Sequence, residues 1–149
     1  MTTGTRLPLI NADRRRYDHS KLTEKIIGAF YEVYNELGHG FLESVYESAM
    51  YIVLLERGFD VKRQFAVSVW FRGKQIGNYC ADLVVNDSVI VELKAAHALD
   101  PAHIAQLLNY LRATDIEIGL LLNFGPHPSV RRLAFSNSRK KIKISVHQR

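Results

Sequence analysis

A mixed α/β domain, with helices packed on one central sheet, is the fold class this sequence predicts. Three observations carry it. Residues 20–37, "SKLTEKIIGAFYEVYNEL", space Leu22, Ile26, Phe30, Val33 and Leu37 along one helical face. From Val61 the texture changes to "FAVSVWF", the β-branched and aromatic composition of strands. The runs "VIVELKA" and "IEIGLLLNF" are apolar almost throughout, as strands covered on both faces are. The expected element order is α-α-β-β-β-α-β.

Each element has local support. Residues 1–19 read as a flexible polar and basic arm, and residues 20–149 as one domain. Asp18 or Ser20 caps the first helix, and Gly38 and Gly40 end it. A second helix covers about 42–57 and stops at Gly58, with Tyr46, Met50 and Leu54 on its apolar stripe and Glu43 at the head of that stripe. "RGKQ" is a turn, followed by strands near 75–85 and 88–94. Asp100 as N-cap and Pro101 at the first helical position open the next helix. Beyond Gly125 the signals predict a helix near 129–136 and a final strand, "KIKISV".

Composition narrows the function classes. No apolar run approaches the roughly 20 residues that span a bilayer, and the N-terminus has no signal-peptide core, so no membrane role is expected. One cysteine, Cys80, excludes an intramolecular disulfide and fits a reducing cytoplasm; it is expected to be a small buried residue. The six histidines lack zinc-ligand spacing, and there is neither a Gly-rich phosphate loop nor a GxSxG elbow. The net charge is +5, and no acidic residue follows Glu117. Arg131, Arg132, Lys140 and Lys141, together with Arg14, Arg15 and Arg16, make candidate contacts to a polyanion such as nucleic acid.

The strand "VIVELKA" carries the chemistry. Alternation puts Glu92 and Lys94 on one face near its end, and the preceding strand, "YCADLVV", holds one acid, Asp82. Uncompensated charges in a core are costly, so these groups are expected to meet one another, a metal ion and solvent. For Asp82 to face Glu92 across a hairpin the loop must have odd length, as Asn86-Asp87-Ser88 would give; a one-residue slip would put the acids on opposite faces. Two carboxylates are hard ligands suited to Mg²⁺ or Mn²⁺. Lys94 would place a positive charge beside the reacting phosphate. Glu43 would complete the ion's shell directly or through water. Such a site in a basic protein points to phosphodiester hydrolysis.

These residues resemble the PD-(D/E)XK nuclease superfamily, and within it the small GxxExxY proteins. The matching segments are "GFLESVYE" (Gly40, Glu43, Tyr46), "ADLVV" (Asp82), "VELKA" (Glu92, Lys94), "QLLNYL" (Gln106, Tyr110) and "GLLLNFG", spanning about residues 20–135. The resemblance implies a restriction-endonuclease-like core with Glu43, Asp82, Glu92 and Lys94 as the metal-and-lysine site and Gln106 as an auxiliary residue. His103 and Tyr110 share the Gln106 helix face. Tyr46 and Tyr110 read as packing residues with a polar tip. The implied function is a Mg²⁺-dependent nuclease, with DNA favoured by family analogy. A homodimer is the simplest assembly for cutting both strands. Two other readings use the same residues: a catalytically silent nucleic-acid-binding module, and an accessory subunit.

Overall fold

The computed structural model describes residues 7–140, with side chains from His19 onward. Five strands form one sheet in the order β1-β2-β3-β4-β5: β1 (Val61–Phe71), β2 (Lys74–Val85), β3 (Val89–Lys94), β4 (Ile118–Asn123) and β5 (Ser129–Ala134). Neighbours are antiparallel except β3 and β4, which run parallel and are joined through helix α3 (Pro101–Ala113). A parallel pair needs such a crossover, and the crossover places α3 on one face of the sheet. Helices α1 (Leu7–Leu37) and α2 (Glu43–Glu56) cover the other face.

Two cores result. Ile26 and Phe30 of α1 and Met50 and Leu54 of α2 pack on Leu83, Val91 and Leu120. Leu107 and Leu111 of α3 pack on Val84, Ile90 and Leu121. The central strands β3 and β4 are therefore buried on both faces, which is why their sequences lack polar alternation. This α/β sandwich is the predicted fold class, and most predicted elements stand within a residue or two of their expected bounds.

Three expectations are corrected. Helix α1 begins at Leu7, well before the expected start near residue 20. Pro8 sits in the first turn, where a missing N–H is harmless, and no glycine or proline follows until Gly28. Residues 129–134 form strand β5 and not a helix. The apolar spacing of Val130 and Leu133 mimics a helical period, but Val130 packs on one core and Leu133 on the other. Cys80 is exposed, because it lies on the part of β2 that runs out past the core in a hairpin with β1. The segment "KIKISV" lies outside the described residues.

Candidate active site

The β2–β3 loop is the three residues Asn86, Asp87 and Ser88, with Asn86 and Asp87 in the left-handed region at φ 53° and 52°. Asn and Asp tolerate that conformation better than other non-glycine residues. The register Val85↔Val89, Val84↔Ile90, Leu83↔Val91 follows, and its continuation sets Asp82 opposite Glu92. The regular pairing ends at this point, and side chains take over from the backbone. The Asp82 N–H donates to Glu92 Oε2 at 2.7 Å, and the Leu93 N–H donates to Asp82 Oδ2 at 2.8 Å. On the far side of β2, Gln64 is displaced to φ 50° between the pairs Arg63↔Leu83 and Phe65↔Ala81. The sheet thus opens around Asp82.

Each carboxylate uses one oxygen in this exchange and keeps the other without a hydrogen-bond partner among the described residues. Glu92 is only 4% exposed. Burial, and then the Asp82 charge, push its carboxyl up to about 8; the Asp82 N–H and Lys94 oppose this. Asp82 is raised as well, chiefly by burial, against the Leu93 N–H and Lys94. Lys94 follows Glu92 on the same face of β3 and is half-buried. A buried Glu92 and a half-buried Asp82, each with one free oxygen and each raised by burial, would be relieved by a cation. Among the described residues no three Asp, Glu, His or Cys side chains converge closely enough to hold a metal by themselves. Mg²⁺ commonly takes only one or two carboxylates and completes its shell with water and substrate phosphate, so the donor set fits.

Glu43 is the first residue of α2 and is exposed, outside any three-carboxylate cluster, although its charge raises both Asp82 and Glu92. It stands at the rim. Its position is fixed by Tyr46, which is fully buried and stacks on Phe124 at 4.2 Å. The Tyr46 hydroxyl donates to Gly38 O at 2.6 Å and accepts from the Phe41 N–H at 3.2 Å. Gly40, at φ 115°, turns the chain inside this clamp in a conformation side chains disfavour. One turn along α2, Glu47 binds Arg63 at 3.1 Å and Gln64 at 2.8 Å, tying the helix to the irregularity opposite Asp82.

From the other face, α3 brings Gln106, half-buried, and Tyr110. The Tyr110 hydroxyl donates to Cys80 O at 3.3 Å; burial, then Glu92 and Asp82, push it up to about 12. His103 is occupied in the helix cap, where its Nδ1 accepts from the Asp100 N–H at 3.2 Å. The basic candidates do not converge on the carboxylates. Arg131 and Arg132 are exposed on β5, two strands from Glu92. Lys140 turns inward and donates to Thr114 O and Ile116 O at 2.7 and 2.9 Å, and burial lowers its pKa. Lys141 lies outside the described residues.

Asn123 and Gly125 were not anticipated. Asn123, buried at the end of β4, accepts from the Ala96 N–H at 2.9 Å and donates to Ala96 O at 3.0 Å. Gly125 passes so close to Ala96 O that a side chain there would overlap it. Together with the Phe124 N–H bond to Lys94 O at 2.7 Å, they hold the chain leaving Lys94. The lone polar residue ending the "GLLLN" run was the available signal.

A family model for the PD-(D/E)XK nuclease superfamily matches residues 20–133, nearly all of this domain. The chain belongs to that superfamily. Nucleases of the superfamily act on nucleic acid and generally use divalent metal ions. No curated protein matches the chain. A solved structure titled "Crystal structure of SSO0001" is similar at 18% identity and a TM-score of 0.49, over 62% of this chain and 50% of that one. This chain thus spans half the length of that protein. Among the described residues of this superfamily member, no helix is long and apolar enough to cross a membrane.

Proposed function

We propose that this protein is a divalent-metal-dependent nuclease of the GxxExxY type, with residues 20–149 as its single domain. The observation that carries the reading is the reciprocal bonding of Asp82 and Glu92 across the opened β2–β3 pair, with Lys94 beside them. Asp82 and Glu92 would hold the ion, Mg²⁺ or Mn²⁺ by their hard oxygen donors, and Glu43 would bind its water shell from the rim. Such an ion, when bound, supplies a Lewis acid and lowers the pKa of bound water. Lys94 stabilises negative charge on the phosphate undergoing attack. Gln106 orients substrate from α3, and Tyr110 excludes water from that side. Arg131 and Arg132 bind phosphates away from the cut. DNA is the substrate to test first.

The test is cleavage of end-labelled single-stranded, duplex and branched DNA and of RNA in Mg²⁺, Mn²⁺ or EDTA. The parent is expected to cut in metal only. Lys94→Ala and Asp82→Asn are expected to lose about 10²–10³-fold in rate, the scale of removing one group that stabilises transition-state charge. Variants that cut as fast as the parent would refute the assignment. Binding without turnover would favour the silent module instead.

A further inference from the structure

Beside the candidate site lies a groove of about 320 Å³. Its walls are residues 39–41, 95–97 and 124–126. The first wall leads by one residue into Glu43, whose charge reaches Asp82 and Glu92, and the second continues directly from Lys94, so the groove adjoins the site along the chain, on the face where Ala95 and Phe124 pack. No carboxylate lines it; the polar side chains offered are the exposed imidazoles of His39 and His97.

The groove is held in shape. The Phe41 ring is 48% exposed, yet it stands edge-on to Tyr46, with centroids 6.1 Å apart and planes at 75°. Tyr46 is in turn stacked on Phe124. The opposite wall is pinned by the two Asn123 bonds to Ala96, and the close approach of Ala96 O to Gly125 packs it further. An exposed aromatic face that is already ordered pays little entropy when a flat ligand covers it.

We propose that this groove receives one unpaired nucleobase of the strand being cut, adjacent to the reacting phosphate, with Phe41 as its stacking platform and His39 and His97 at its edges. The inference rests on the nuclease reading and names its substrate class: single-stranded nucleic acid, or a strand with an unpaired nucleotide at the cut. The volume lies at the small end of ligand pockets, enough for a single nucleoside and too small for a helix. A base in an intact duplex would have to leave its stack to enter.

The experiment is fluorescence anisotropy in EDTA, comparing a labelled single-stranded oligodeoxynucleotide with its duplex. Phe41→Ala is expected to weaken single-strand binding by about 5- to 100-fold, the scale of one base–aromatic stack, and to leave duplex binding unchanged. Phe41→Trp is expected to retain single-strand binding. Equal losses on both substrates, no loss on the single strand, or a Trp variant as weak as the Ala variant would each overturn the base site. So would a parent that binds no single strand. Cleavage by Lys94→Ala separates the two readings. If Lys94→Ala cuts like the parent while Phe41→Ala loses strand binding, the site built on Lys94 fails and the groove stands only as a single-strand binding site. The opposite pattern removes the base site alone.

Discussion

Glu92 titrates near 4.5 as an ordinary glutamate and near 8 in the folded chain. Between those values the folded chain holds a proton that the unfolded chain has lost. Stability therefore falls as pH rises through that window, then levels once both states are ionised. In EDTA, the urea midpoint is expected to drop from about pH 4.5 to about pH 8. Asp82→Asn removes a charge that raises Glu92, so its curve should fall less and level at a lower pH. Equal slopes for parent and variant would show that the carboxyls do not share a site. Mg²⁺ or Mn²⁺ competes with the same protons, so either ion should raise the parent's midpoint more at pH 8 than at pH 5. An equal shift at both would contradict metal binding at this pair. The pairing of these acids was legible in the sequence, because loop parity and strand alternation dictate which side chains share a face. The inward turn of Lys140 was not: a lysine in a basic tail looks solvated until the carbonyls of Thr114 and Ile116 are placed beside it.

At the scale of elements, the strand ends matter more than the strands. Residues 95–97 leave β3 without regular structure, and their path is set by Asn123 and Gly125 of the neighbouring β4 end. Gly125→Ala would drive a methyl group into Ala96 O and is expected to cost about 1–3 kcal/mol, the range for overpacking. Asn123→Ala strips both backbone groups of Ala96 of their partners, at roughly 1–3 kcal/mol. Thermal melts measure both, and melting points equal to the parent's would mean that the segment after Lys94 is held some other way. Helices α2 and α3 were legible because caps, prolines and glycines punctuate them. Strand β5 was misread because an edge strand contributing one apolar residue to each core shows a spacing of three, which is also helical. The early start of α1 was missed because polar helix formers resemble an arm when no apolar stripe marks them.

Over the whole molecule, charge decides how nucleic acid could lie. The +5 net charge is concentrated late in the chain, yet of its described members Lys140 is tied inside, while Arg131 and Arg132 face solvent on the sheet edge and Arg139 lies exposed over the Phe135 ring. Lys and Arg on an edge strand also discourage edge-to-edge pairing, so exposure alone does not make them ligands. Salt dependence separates the two roles. Each phosphate neutralised contributes about 0.7 to the slope of log K against log salt for a single strand, and about 0.9 for duplex DNA. If both arginines touch phosphates, the variant Arg131→Ala with Arg132→Ala should lower the slope by about 1.4 on a single strand. Lys140→Ala should leave the slope alone and lower the melting point, since its ammonium serves two carbonyls. A double variant with the parent's slope would assign the arginines to edge protection. The strand would then have to run along other cations, and the groove beside Phe41 would fix its direction past Lys94 on stacking alone.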